Sequence, residues 1–236
     1  MHVYPIVAAA VWGTVAGLVL PRAAHRLAVG EEQSWRTAGP EGVPYPAGVP
    51  GWLGPVRGAW WADGRWYALC TAAVCAALAG RTGARPELAV WMLLVPLAVL
   101  LARVDLAVLR LPDVLTLPAA AGTAALLGAA WLVPGHAGSW PRALLGGLAL
   151  GLLHLVLHLL NPGGMGFGDV KLAPTAGLVL GWYGWDSLVA GTFTAFLLGA
   201  VAGLALLAAR RADRGTPLPF GPFILAGALA GVLLLP

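Results

Sequence analysis

Charged residues are scarce in this chain: Asp, Glu, Lys and Arg make up 10% of its 236 residues, and hydrophobic residues make up 59%. A soluble domain carries roughly 25% charged residues. The mean hydropathy is +0.82. This shortage of charge excludes an ordinary soluble domain and predicts an all-α, polytopic helical bundle in a membrane.

Long polar segments are also few, so residues 1–236 are interpreted as one integral-membrane domain. Six apolar runs approach the roughly 20 residues that cross a bilayer. They are Val3–Leu20, Leu88–Ala102, Val114–Val133, Ala143–Leu160, Ser187–Ala209 and Pro219–Leu235. Two shorter runs, Tyr67–Gly80 and Leu172–Gly181, need flanking residues to span. Counting both predicts about eight transmembrane helices, with six as the alternative. The first run lacks the preceding basic residues of a signal peptide, so we expect an uncleaved helix.

The basic residues are distributed unevenly among the predicted loops. Eight crossings with the amino terminus outside place 11 of the 14 Lys and Arg residues on one side and 3 on the other. Basic loops favour the cytoplasm. The net charge of +4 therefore indicates topology and attraction to membrane lipid, and no nucleic acid is expected as a partner.

The longest polar segment, Arg22–Trp66, is predicted to be a cytoplasmic surface loop. Four tryptophans in it have the amphipathic rings that anchor proteins at the membrane interface: Trp52, Trp60, Trp61 and Trp66.

Cysteine is nearly absent, which limits both disulfides and metal sites. Cys70 and Cys75 are five positions apart and lie on different faces of one predicted helix, which argues against a disulfide. No CxxC pair is present. His154 and His158 share a helix face at i, i+4. They lack an adjacent carboxylate, so helix packing is preferred and no metal site is predicted.

Three aspartates stand out because they occur at the ends of apolar runs: Asp105, Asp113 and Asp169. Ionisable groups at membrane depth are costly and indicate function. The alternative is that Asp113 and Asp169 are helix N-caps. That alternative does not account for Asp105, which ends a helix where the dipole disfavours negative charge.

The segments "VDLAVLRLPDVLTLP" and "GMGFGDVKL" resemble the type IV prepilin peptidases, a family of GxGD-class membrane aspartyl proteases. Asp105 lies 8 positions before Asp113 and 64 before Asp169. The later segment "PLPFGPFILAGAL" resembles the closing motif of the same family. The resemblance covers residues 103–229, the predicted catalytic motif region.

The resemblance implies that Asp105 and Asp169 are the catalytic pair, because two adjacent carboxyls that share a proton can activate water and donate to the scissile carbonyl. The residues predicted to support the site are Gly166, Gly168, Lys171, Asp113 and Arg110. Lys171 is the only lysine in the chain. The loop glycines, which include Gly163 and Gly164, are expected to allow close approach of a peptide and unusual backbone conformations.

The implied substrate is a type IV prepilin or pseudopilin precursor, whose short basic leader is cut at the cytoplasmic face of the inner membrane. Many family members carry two CxxC pairs in the first loop and methylate the new amino terminus with S-adenosylmethionine. Arg22–Trp66 contains no cysteine. We therefore expect a mobile loop without zinc, cleavage that requires no cofactor, and S-adenosylmethionine use only if the methyltransferase activity is retained.

Glu31 and Glu32 could contact a methyl donor or a substrate, although solvated loop charges are the preferred interpretation. The alternative function is that of a non-enzymatic polytopic protein, either a transporter or a secretion or pilus assembly subunit. A transporter would more often place its charges at the bilayer midplane. An inactive relative acting as a scaffold is a further alternative, against which the intact aspartates argue.

Overall fold

A computed structural model of the protein describes residues 3–30, 33–56, 64–211, 213 and 216–234. These residues form eight α-helices and one short 3-10 helix, Val49–Gly51. The α-helices are α1 Val3–Leu27, α2 Gly64–Thr82, α3 Glu87–Val108, α4 Asp113–Trp131, α5 Trp140–Leu160, α6 Phe167–Tyr183, α7 Trp185–Ala208 and α8 Gly221–Leu234. Each of the eight predicted apolar runs corresponds to one helix, and the all-α class is confirmed.

Five of these helices are long and apolar enough to cross a membrane: α1, α3, α4, α5 and α7. Their outward faces are apolar, unlike the polar faces of surface helices in soluble proteins. On α5, for example, Leu145, Leu148, Leu152 and Val156 are all at least half exposed and recur at helical spacing. These features establish a polytopic helical membrane protein.

The described chain divides into two compact units, residues 1–108 and 109–236. In the first unit α1 packs on α2 and α3. Gly17 allows α1 to approach α2 closely, because a Cβ there would lie 2.5 Å from the Cα of Ala68. The Thr71 hydroxyl donates a hydrogen bond to the Gly13 carbonyl across the same contact. Small residues and interhelical hydrogen bonds are what hold helices together in lipid.

The second unit is built around α6, which packs against α4, α5, α7 and α8. A Cβ on Gly181 would lie 2.8 Å from the Arg142 carbonyl oxygen of α5, so glycine permits this close packing. Arg142 also donates from Nε to the Gly181 carbonyl at 3.1 Å and from Nη2 to that of Trp182 at 2.9 Å. A guanidinium there satisfies the last carbonyls of α6 and opposes its negative dipole end.

The first loop is shorter than predicted. Helix α1 continues through Arg22 to Leu27, and α2 already begins at Gly64. Arg22 and Arg26 keep a helical backbone, and their side chains donate hydrogen bonds to carbonyls of the loop, at Pro50 and Gly51. Segment 22–66 therefore includes the last turns of one helix and the first turn of the next.

Candidate active site

Asp105 lies in the last turn of α3 and is 4% exposed. Its helix neighbours Leu101 and Val104 are fully buried. Placing a carboxyl in such a setting costs free energy unless the group is neutral or paired. The negative end of the helix dipole further disfavours its ionised form. Asp105 is thus a buried carboxyl at the negative end of a helix dipole.

Asp169 lies in the first turn of α6 and is 5% exposed. Its amide donates to the Gly166 carbonyl at 3.1 Å, which closes the turn that starts the helix. The carboxylate folds back toward that turn, because a Cβ on Gly166 would lie 3.4 Å from Asp169 Oδ2. The positive end of a helix dipole stabilises a carboxylate in this position. Asp169 thus lies at the positive end of a helix dipole, whereas Asp105 lies at the negative end of one.

The N-cap interpretation of Asp113 and Asp169 is wrong. Pro112 is the N-cap of α4 and Gly166 is the N-cap of α6, and neither cap is made by a side chain. Asp113 instead forms an ion pair with Lys171, with 2.5 Å between Lys171 Nζ and Asp113 Oδ1. The Lys171 side chain is 23% exposed and the Asp113 side chain is 57% exposed. This pair joins the starts of α4 and α6.

The connection from α3 to α4 contains Leu109, Arg110 and Leu111. Leu109 has φ 54°, a left-handed conformation that is uncommon for a residue with a side chain. Leu111 is buried and packs on the first turn of α6, where a Cβ on Gly168 would lie 3.0 Å from Leu111 Cβ. Glycine at position 168 therefore allows the segment before α4 to contact α6 closely.

The prediction of unusual backbone conformations at the loop glycines is wrong. Gly163, Gly164, Gly166 and Gly168 are absent from the residues with positive φ, and Gly166 has φ −67° and ψ 142°. The physical reason is that this segment is a simple turn running into a regular helix. At Gly168, the lack of a side chain instead allows close packing against Leu111.

The two histidines of α5 have separate environments. His154 is buried and packs against Phe196 and Phe220, with ring centroids 5.8 and 6.5 Å away. That contact confirms the packing interpretation for His154. His158 reaches the loop before α6, a role that sequence reasoning missed. Among the residues described, no group of three or more His, Cys, Asp and Glu side chains could hold a metal ion.

The first loop is held by an arginine–aromatic cluster, defined as Arg22, His25, Arg26, Tyr45 and Trp52. Arg22 donates to the carbonyls of Pro50 and Pro55, and Arg26 donates to that of Gly51 at 3.0 Å. The Arg26 guanidinium also stacks 3.9 Å above the Trp52 ring. These contacts order residues 33–56 without metal ligands, so they do not support the predicted mobility.

Tyr45 completes the cluster through a 2.8 Å hydrogen bond with His25 Nδ1. Burial raises the pKa of Tyr45, and the nearby guanidinium groups of Arg22, Arg26 and Arg36 oppose that rise. The phenol therefore stays neutral near pH 7. Trp52 lies inside the cluster and Trp66 is exposed. Trp60, Trp61, Glu31 and Glu32 lie outside the described residues.

The helices and buried carboxyls define a polytopic helical membrane protein with an aspartate in the last turn of α3 and another in the first turn of α6. Residues 92–235 match the model of the type IV leader peptidase family. The chain belongs to that family, as its motifs indicated.

Relatives from three bacteria carry the name prepilin leader peptidase/N-methyltransferase. The Bacillus subtilis protein is 33% identical over 70% of this chain and 63% of its own length. The Aeromonas hydrophila protein is 34% identical over 69% of this chain and 54% of its own length. The Pseudomonas aeruginosa protein is 43% identical over 28% of this chain and 22% of its own length. The chain thus spans less than two thirds of each relative. No solved structure matches it.

Proposed function

We propose that this protein is a membrane aspartyl endopeptidase that removes the leader from type IV prepilin or pseudopilin precursors. The observation that carries the proposal is the pair of buried carboxyls, Asp105 and Asp169, at helix ends inside the family-matched region. The names of the relatives support the substrate class. A transporter or an assembly subunit has no need of two buried carboxyls in these motifs.

The proposed arrangement has eight crossings and an active site at the cytoplasmic face of the inner membrane. The end of α3 and the start of α6 open on the same side when α4 and α5 each cross once. The 17 residues of α6 extend about 26 Å and the 14 residues of α8 about 21 Å at 1.5 Å per residue. Both fall short of about 30 Å of hydrocarbon, a mismatch that local thinning of the bilayer accommodates at modest cost.

We base the proposed roles of the two carboxyls on their positions at opposite ends of helix dipoles. Asp169, at the positive end of α6, is the carboxylate that takes a proton from the attacking water. Asp105, at the negative end of α3, is the neutral acid that donates its proton to the scissile carbonyl oxygen. Water thereby adds to the carbonyl carbon. Collapse of the resulting tetrahedral species needs a proton on the leaving amine, which the now protonated Asp169 supplies. The now ionised Asp105 takes a proton back from a hydroxyl of that species, so both carboxyls return to their starting states.

The substrate enters with its apolar segment in the bilayer and its basic leader at the cytoplasmic surface. Gly168 keeps the first turn of α6 against Leu111, and we propose that the neighbouring Gly166 leaves room for an extended peptide beside Asp169. Lys171 and Asp113 hold the starts of α6 and α4 together. Arg110 belongs to the same support, in the connection that precedes α4.

Neither zinc nor a methyl donor takes part in the proposed cleavage. The residues of the first loop do not fit a zinc site, because segment 22–66 contains no cysteine and its described residues form no metal-binding group. The methyltransferase named in the relatives would use S-adenosylmethionine. No step of the peptidase chemistry depends on it, and we propose that methylation is weak or absent here.

Substituting the aspartates tests the proposal. Asp105→Asn and Asp169→Asn should each lower cleavage of a prepilin precursor in liposomes by more than about a hundredfold, since acid–base catalysis is worth at least that. Both variants should still accumulate in the membrane. Asp186→Asn is the matched control, because Asp186 is an exposed aspartate at the start of α7.

Mass spectrometry of the mature product, with and without chelator and S-adenosylmethionine, tests the cofactor statement. We expect cleavage to survive chelation and the product terminus to stay unmethylated. Full activity in either Asn variant would refute the aspartyl mechanism, and a product heavier by one methyl group would refute only the statement on methylation.

A further inference from the structure

The turn that precedes Asp169 has little in its own backbone to hold it. Residues 161–166 connect α5 to α6, and the glycines among them have ordinary φ values without an enforced conformation. Within the turn, the Gly164 amide donates to the Asn161 carbonyl at 3.0 Å. A Cβ on Gly163 would meet nothing within 4 Å. The position of this turn must therefore depend on side chains beside it.

His158, in the last turn of α5, makes one such contact. Its Nδ1 lies 2.9 Å from the Met165 carbonyl oxygen. Because a carbonyl can only accept, Nδ1 carries the proton and donates it. The hydrogen bond ties the end of α5 to the residue just before the N-cap of α6.

Phe167 makes the second contact. Its ring centroid is 5.3 Å from the centroid of the His158 ring and 4.8 Å from the Lys171 ammonium. An ammonium at this distance from an aromatic ring is attracted by the ring's negative face. Phe167 is nevertheless 51% exposed. A large ring at the first position of α6 is thus held by a histidine and a lysine and not by burial.

We propose that His158 and Phe167 are positioning residues that hold the Met165–Phe167 turn and thereby place the Asp169 carboxylate. The Asp169 amide hydrogen bond to Gly166 links the turn to the carboxylate-bearing backbone, so displacement of Met165 or Phe167 is transmitted to Asp169. The inference rests on the proposed function for the role of Asp169, although the order of the turn can be measured without it.

A thiol reporter measures the order of the turn independently of cleavage. Leu111→Cys, in the full chain with Cys70 and Cys75 replaced by alanine, places a thiol at a buried position that packs on the first turn of α6, so the thiol reacts only when this contact opens. His158→Leu removes the donor and should speed thiol modification about three- to tenfold, as expected for loss of a single hydrogen bond. His158→Asn retains a donor near the Nδ1 position and should stay close to the parent rate.

Two further substitutions separate the ring contact from the hydrogen bond. Phe167→Leu should speed modification of the reporter, whereas Phe167→Tyr keeps the ring and should not. Leu159→Ala is the control, since Leu159 lies on the same turn of α5 and is 68% exposed.

Kinetics of precursor cleavage, in the chain without the reporter, complete the test. His158→Leu and Phe167→Leu should lower kcat about tenfold or more with KM little changed, because misplacement of a reacting group lowers the rate of the chemical step and not the affinity. Unchanged thiol modification in both variants, or a lowered kcat without faster modification, overturns the inference. Failure of the unmodified protein to cleave overturns the proposed function instead, and the thiol measurements still decide whether the turn is held as described.

Discussion

At the scale of single residues, the Lys171–Asp113 pair is a support whose contribution is limited by solvent. Asp113 is 57% exposed, and exposed ion pairs contribute about 0–1 kcal/mol. Asp113→Asn should therefore retain at least about a fifth of the cleavage rate. Lys171→Met should lose somewhat more, because it also removes the cation beside Phe167.

The double variant Asp113→Asn, Lys171→Met should be no slower than Lys171→Met alone, since the two side chains act as one pair. Cleavage rates of the single and double variants at low and high salt measure this coupling. A complete loss in Asp113→Asn, or effects that simply multiply in the double variant, would show that Asp113 acts on the reaction itself.

Residue chemistry also explains which parts of the site could be predicted. Asp105 and Asp169 were recognisable in the sequence because a carboxylate at the end of an apolar run is costly and therefore informative. The contact of His158 was not recognisable in the sequence, since its partner is the main-chain carbonyl of Met165. A backbone acceptor leaves no pattern in the sequence. The Lys171–Asp113 contact spans 58 positions and depends on how α4 and α6 pack.

At the scale of elements, arginine side chains hold the first loop, which the sequence predicts to be mobile. Arg26→Met keeps the length of the side chain but removes the hydrogen bond to Gly51 and the stack on Trp52. Hydrogen bonds from charged groups contribute about 1.5–3 kcal/mol. Amide exchange in residues 33–56 should therefore become about tenfold faster or more in this variant, as measured by mass spectrometry.

The same exchange measurement has two controls. Arg81→Met changes an exposed arginine in the last turn of α2 and should leave exchange in residues 33–56 unaltered. Chelator should have no effect on the parent protein. Faster exchange on chelation would mean that an ion orders the loop, and unchanged exchange in Arg26→Met would remove the arginine–aromatic cluster from that role.

Helix positions were predictable because apolar runs are long and sharply bounded, as in α5, whose predicted and observed ends coincide at Leu160. The end of α1 was not predictable in this way. Arg22 and Arg26 looked like loop residues from their charge, yet they extend α1 to Leu27 because their side chains bind the loop that follows. Charge in this chain marks the end of the apolar segment and not the end of the helix.

At the scale of the whole molecule, the eight-crossing arrangement can be tested by single cysteines in the background without Cys70 and Cys75. With eight crossings, Ser34→Cys and Asp213→Cys should lie in the cytoplasm, and Ala137→Cys and Asp186→Cys should lie outside. All four positions are exposed on connections or helix starts. Only the last two should react with a membrane-impermeant thiol reagent in intact cells, and all four should react after permeabilisation.

The pair of outer positions distinguishes eight crossings from six. If α2 and α6 do not cross, Ala137 and Asp186 fall on opposite sides of the membrane, so one of them reacts and the other does not. Under that arrangement the last turn of α3 and the first turn of α6 would still share one face, but it would be the outer face. A catalytic pair there could not meet a basic leader that remains in the cytoplasm, where the positive-inside tendency keeps it. Reaction at both Ala137 and Asp186, together with protection of Ser34 and Asp213, is therefore the result that the proposed peptidase requires.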